Sequence, residues 1–118
     1  MASDWALLTT ETSLPEHVTT LDTAPYRAGA VMVAGFSSDK GLGQGGEVLT
    51  YQENCLSSAT PLDEDQVSVD CWAFRGASGG AVLQQGKLVG VISQGDNAGS
   101  ASFVDHAVYA DRVARAMP

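Results

Sequence analysis

The sequence predicts an all-β fold, an antiparallel barrel or sandwich ending in one short helix. Three observations carry this. Short apolar runs recur along the chain with turn residues between them, the pattern of strands joined by tight connections rather than by helices. Gln85-Gly86 separates Val82-Leu83-Gln84 from Lys87-Leu88-Val89 by two residues, a hairpin signal. Helical spacing is confined to Tyr109–Met117, where Val113, Ala116 and Met117 share a face and Pro118 follows.

The elements follow in order. Ala6–Thr9 reads as a first short strand. Thr9 to Ala24 is rich in Thr, Ser, Glu and Pro and reads as a surface connection. Ala30–Phe36 contains the continuous apolar run Ala30-Val31-Met32-Val33-Ala34, as a buried strand does. Gly46–Tyr51 and Val67–Trp72 are the next strands, with Ser57–Gln66 between them as an exposed loop holding Pro61 and three acids. Gly80–Gln84 and Leu88–Gln94 flank the hairpin, and Ala101–Val104 precedes the helix.

A chain of 118 residues is one domain, residues 1–118, with a small core that a disulfide or a partner domain would help. The net charge is -8, with 6 Lys and Arg against 14 Asp and Glu, which excludes a nucleic-acid or anionic-membrane surface. The longest uncharged apolar run, Ala28–Phe36, is too short to span a bilayer, so no membrane partner is expected. No signal peptide is read, because Met1-Ala2-Ser3 leads directly into Asp4-Trp5-Ala6-Leu7-Leu8. Cys55 and Cys71 allow one intrachain bridge or two buried thiols. No metal site is read, since there is no Cys-x-x-Cys and His17 and His106 lie far apart.

The chemistry is concentrated in Cys71-Trp72-Ala73-Phe74-Arg75-Gly76-Ala77-Ser78-Gly79-Gly80-Ala81-Val82. A serine between small residues exposes its hydroxyl. Glycines permit backbone angles that aim amide N–H groups into one concavity, which can hold an oxyanion. The plain alternative is a glycine-rich turn before a strand. Gly76-Ala77-Ser78-Gly79-Gly80 also satisfies the nucleophile elbow of α/β-hydrolase esterases, and Ser78, Asp96 or Asp105, then His106 follow their order. That elbow needs a helix directly after the serine, whereas this sequence gives a hairpin.

Several segments in order resemble the chymotrypsin- and trypsin-like serine protease family, in its small bacterial form. Gly76-Ala77-Ser78-Gly79-Gly80-Ala81 resembles the nucleophile segment Gly-Asp-Ser-Gly-Gly-Pro. Leu88-Val89-Gly90-Val91-Ile92-Ser93-Gln94-Gly95 resembles the strand ending in Ser-Trp-Gly that lines the substrate groove. Asp4-Trp5-Ala6-Leu7-Leu8 resembles the Asp-Ile-Ala-Leu-Leu segment of the triad aspartate, and the terminal helix fits. The resemblance implies a Greek-key barrel, the second of two, and a serine endopeptidase acting on polypeptide substrate without cofactor. It implies Ser78 as nucleophile and Asp4 as the acid that orients the catalytic histidine. It implies that the N–H groups of Gly76 and Ser78 form the oxyanion hole. Ser93 bonds near Asp4, and its carbonyl with Gly95 receives the substrate strand. The resemblance also implies that Trp72 and Ala73 line the primary specificity pocket. Cys55 and Cys71 pair as a disulfide, which fits a secreted or periplasmic protein.

The departures are as informative. Family members carry the catalytic histidine before the aspartate, and here only Met1-Ala2-Ser3 precedes Asp4. The expectation is a carboxyl-terminal half whose histidine-bearing barrel is absent, inactive alone, with an exposed face near Ala6, Leu7 and Leu8 for that barrel or for self-association. His17 reads as a solvated side chain, and His106 as a residue beside the terminal helix. Ala77 replaces the usual acid before the serine, so activation by amino-terminal insertion has no anchor. Trp72, Ala73, Ile92 and Gly95 offer no charge, which favours an apolar side chain before the cut; Arg75 is the competing influence. The rival function is a protease-like binding module without catalysis.

Overall fold

Alternation of buried and half-buried positions in Ala30–Gly35 (β1) sets the pattern for the fold: Val31 and Val33 are buried and their neighbours are not. The structure is a computed structural model that describes residues 4–18, 20–57, 66–71, 76–95 and 99–116. After β1 come Thr50–Leu56 (β2), Gln66–Val69 (β3), Ala81–Gln84 (β4), Lys87–Gly95 (β5), Ala101–Asp105 (β6) and the helix His106–Ala116 (α1).

The strands form one antiparallel sheet in the order β2-β1-β4-β5-β6-β3. Its two outer strands meet at one end. Ser57 bridges Val69, and the Asp70 N–H donates to the Leu56 carbonyl at 2.9 Å. Cys55 and Cys71 form a disulfide across the same seam, with Cα atoms 5.5 Å apart. The sheet therefore curls into a half-barrel with a short carboxyl-terminal helix, the all-β architecture the sequence predicts.

The core lies inside the curl. Val69, Val82, Val89, Phe103 and Val104 are fully buried, together with both cysteines. Tyr26 meets Phe103 edge-on, with ring centroids 5.3 Å apart. Burying a side chain of this size stabilises by roughly 1.5–3 kcal/mol. Upstream, Ala24 N–H donates to Leu88 carbonyl and Leu88 N–H to Asp22 carbonyl, which pins residues 22–24 beside β5.

Gln85 and Gly86 have φ of 54° and 76°, the two positive angles of a type I′ hairpin turn. Several element boundaries differ from the sequence reading, among them the strand expected at Val67–Trp72, which ends at Val69. Ala6–Thr9 is not a strand: Leu7 and Leu8 are 41% and 85% exposed, and an extended segment becomes a strand only with a ladder partner. The strand expected at Gly46–Tyr51 begins instead at Thr50, because Gln44–Gly46 makes a short 3-10 turn with left-handed backbone at Gly45 and Gly46. The helix starts at His106, three residues early, because the Asp105 carboxylate accepts from the Ala107 N–H and caps it. Its buried residue is Tyr109, whereas Val113 is half-buried and Ala116 exposed.

Candidate active site

The loop before β4 holds Ser78 by its backbone. Gly80 N–H donates to the Ala77 carbonyl at 2.9 Å, Gly79 N–H to the Ile92 carbonyl at 2.8 Å, and Ile92 N–H back to the Gly80 carbonyl at 2.9 Å. Ala77 is buried against Gly35, while Ser78 is exposed. Gly76 has φ of 97°, and a Cβ there would stand 2.9 Å from the Phe36 carbonyl oxygen. Only glycine combines that backbone angle with that approach. Among the described residues, neither the Gly76 nor the Ser78 N–H donates to a backbone carbonyl.

Ser93 joins the two sequence-predicted catalytic positions. The Ser78 hydroxyl donates to the Ser93 carbonyl oxygen at 3.1 Å, and the Ser93 hydroxyl donates to the Asp4 carboxylate. Pairing between β5 and β6 shifts register between Ile92 and Gln94, so Ser93 sits at a bulge. A bulge re-aims its residue out of the ladder alternation, which lets one residue serve both neighbours. Ser93 is buried, and Gly95, two residues on, pairs with Ala101 at the end of the strand.

Asp4 is itself exposed, but Trp5 beside it is half-buried against Tyr109 of α1, ring centroids 6.0 Å apart. The helix therefore braces the segment carrying Asp4. Tyr109 was not among the sequence candidates; its signal was an aromatic residue at the first full turn of the helix. Burial first, and the Asp105 charge second, push its hydroxyl pKa up to about 12.

Neither histidine is hydrogen-bonded to Ser78 or Asp4 among the described residues. His17 is exposed in a turn, and the ring of His106 stands edge-on to Tyr109 at 5.5 Å. Trp72 and Ala73, assigned to the specificity pocket, lie outside the described residues, as do Arg75 and Asp96.

The arrangement offers an exposed hydroxyl on a glycine loop and a carboxylate, both hydrogen-bonded to the same buried serine. No curated protein matches the chain in sequence. Residues 1–91 match the family described as trypsin-like peptidase domain, a span that includes both Asp4 and Ser78. With more than three quarters of its residues in that match, the chain belongs to the trypsin-like peptidase domain family.

Proposed function

We propose that the chain is the nucleophile-bearing part of a serine endopeptidase that works through an acyl-enzyme on Ser78. The observation that carries this reading is the pair of hydrogen bonds at Ser93, whose carbonyl accepts from the Ser78 hydroxyl and whose hydroxyl donates to the Asp4 carboxylate. A surface serine and a surface acid have no reason to share one buried residue at a strand bulge. A site in which the acid orients a base for the serine has such a reason.

In the chemistry this implies, a histidine takes the Ser78 proton as Oγ adds to the substrate carbonyl carbon. Asp4 stabilises the imidazolium, and the N–H groups of Gly76 and Ser78 receive the oxyanion. The C–N bond then breaks, and the amine leaves with the proton from the imidazolium. Water adds to the acyl carbon, gives its proton to the imidazole, and Ser78 departs as the free hydroxyl. As in other members of the family, we place the histidine on a barrel preceding Asp4. The exposed Leu7 and Leu8 are suited to pack against that barrel. The same surface invites self-association when the barrel is missing. The neutral surroundings at Ile92 and Gly95 favour an apolar side chain before the cut, since an unpaired Lys or Glu there would cost several kcal/mol. The disulfide suits a secreted or periplasmic setting.

The test is labelling with a fluorophosphonate probe, which reacts quickly only with an activated serine. The chain combined with the histidine-bearing polypeptide encoded upstream of it should label at Ser78, and Ser78→Ala should abolish the label. A complex that forms yet fails to label would favour a binding module that keeps the groove without catalysis.

A further inference from the structure

Gln84 and Lys87 are opposite each other across the β4–β5 hairpin, so their side chains leave the sheet on the same side. The Gln84 amide is taken up by the segment upstream of β1. Its nitrogen donates to the carbonyls of Arg27 and Ala30, at 2.7 and 3.3 Å, and its oxygen accepts from the Arg27 N–H at 3.1 Å. That segment is pinned on both sides of the clamp. The Ala24 N–H donates to the Leu88 carbonyl at 3.0 Å, and the Ser57 N–H and hydroxyl both donate to the Gly29 carbonyl. Arg27 is therefore fixed beside the hairpin face that carries Lys87.

A cavity of about 620 Å³ opens there, on a different part of the sheet from the Ser78 loop. Arg27, Gln85 and Lys87 line it, with Pro25, Ala28 and Val89 as its apolar wall. Among the described residues, none that lines it is acidic, although the chain has 14 Asp and Glu against 6 Lys and Arg. Arg27, Gln85 and Lys87 are exposed, and among the described residues their side chains make no hydrogen bond or ion pair. The Arg27 and Ala30 carbonyls, whose negative ends would repel an anion, are already occupied by the Gln84 amide. A guanidinium, an ammonium and an amide thus border one cavity with every side-chain donor unused and no counter-charge supplied.

We propose that this cavity binds a dianionic phosphate group between Arg27 and Lys87. Two fixed cations match the two charges a phosphate carries above its second pKa of about 6. Charge-assisted bonds from guanidinium and ammonium to phosphate oxygens are among the stronger hydrogen bonds, and the Gln85 amide adds a neutral donor. The volume is within the range of small-molecule sites, roughly 300–1,000 Å³, and exceeds what a bare phosphate fills. The apolar wall therefore suits the organic part of a phosphate monoester. A chain of net charge -8 repels anions at a distance, so an anion that binds here is held by these local groups and not by the overall field. The assignment does not depend on catalysis at Ser78.

NMR titration of the 118-residue chain at pH 8 and low ionic strength tests it with phenyl phosphate, phenyl sulfate and phenol, which share one ring and carry two, one and no charges. Phenyl phosphate should bind about tenfold more tightly than phenyl sulfate, and phenol should not bind measurably. Arg27→Gln and Lys87→Gln should each weaken phenyl phosphate about tenfold, the effect of one charge-assisted hydrogen bond. Ala28→Glu, at an exposed position, should abolish binding by placing a carboxylate at the cavity. Lys40→Gln removes the same charge beyond the opposite end of β1 and should leave binding intact. No binding of phenyl phosphate at millimolar concentration, equal binding of phosphate and sulfate esters, or a loss on Lys40→Gln as large as on Arg27→Gln would overturn the proposal. Inorganic phosphate separates the two sources of the group. Weaker binding than phenyl phosphate assigns the site to a monoester, and equal binding assigns it to the free ion.

Discussion

The rings of Trp5 and Tyr109 meet at a tilt of 49° with centroids 6.0 Å apart, joining the first described residues of the chain to the carboxyl-terminal helix. Asp4 owes its position to this contact and to Ser93. The Tyr109 ring is 4% exposed, and its hydroxyl is buried without a hydrogen-bond partner among the described residues. Tyr109→Ala should therefore cost about 3–5 kcal/mol, the range for deleting a buried aromatic ring. Tyr109→Phe keeps the ring and removes the unpaired hydroxyl, so it should raise stability by about 1 kcal/mol. Urea unfolding measures both, and a loss on Tyr109→Phe would mean that the hydroxyl has an acceptor.

The same hydroxyl sets an alkaline limit. Its pKa rises from an ordinary value of 10.0 to about 12 in the folded chain. Below pH 10 both states hold the proton and stability is unaffected. Between pH 10 and 12 the unfolded phenol ionises while the folded one does not, so the unfolded state binds fewer protons and stability falls as pH rises. Urea midpoints measured across this window should decline for the wild-type chain, and Tyr109→Phe should flatten the decline. Parallel curves for the two proteins would refute the assignment to Tyr109.

Much of this fold is legible because local rules and tertiary packing agree. Val31 and Val33 alternate into the core, and Gln85-Gly86 takes the backbone its position between two strands requires. β2 was obscured because Tyr51, Glu53 and Asn54 are exposed on an outer strand, where polarity carries no periodic signal. Ser78 and Asp4 came from resemblance to a family rather than from pattern. The bulge at Ser93 that joins them depends on how β5 registers against β6, and a single strand does not encode that.

The Cys55–Cys71 disulfide should matter for stability more than its surroundings suggest. It closes a segment of 16 residues and fastens the seam between β2 and β3. In the chain-entropy account a loop of this size is worth about 3 kcal/mol. Both half-cystines are buried, so Cys55→Ala with Cys71→Ala should shift the urea midpoint by an amount of this order. An unchanged midpoint in the double variant would show that the seam is held by its backbone bonds alone.

Gly76 links backbone geometry to the proposed chemistry. At φ of 97°, with the Phe36 carbonyl 2.9 Å from a would-be Cβ, Gly76→Ala introduces both torsional strain and a clash. The strain alone is worth about 1–3 kcal/mol. The loop can relieve it only by moving away from Phe36, and its Gly76 and Ser78 N–H groups move with it. Fluorophosphonate labelling in the assembled enzyme should then fall by more than the loss of stability explains. Gly86→Ala is the control: it has a similar positive φ of 76° at the hairpin tip, so it should cost stability and leave labelling intact.

Reconstitution is the decisive experiment for the proposed peptidase. Alone, Ser78 donates its proton to the Ser93 carbonyl, which cannot accept it outright, so the hydroxyl stays a weak nucleophile. A loop that stabilises only the oxyanion retains roughly 10³–10⁴-fold catalysis over water, too little for a peptide assay to register. The purified chain should therefore show no peptide hydrolysis, and addition of the histidine-bearing barrel should produce it. In the assembled enzyme Ser78→Ala should abolish turnover. Asp4→Ala should lower kcat by about 10⁴-fold while leaving assembly intact, because the carboxylate acts on the orientation and charge of the imidazole rather than on binding. Ser93→Ala should fall between wild type and Asp4→Ala, since Asp4 loses its buried donor but keeps the Trp5 anchor. His17→Ala and His106→Ala should leave kcat unchanged. Robust turnover by the chain alone, insensitive to Asp4→Ala and lost with His106→Ala, would assign the base to α1 and overturn the proposed division of the site.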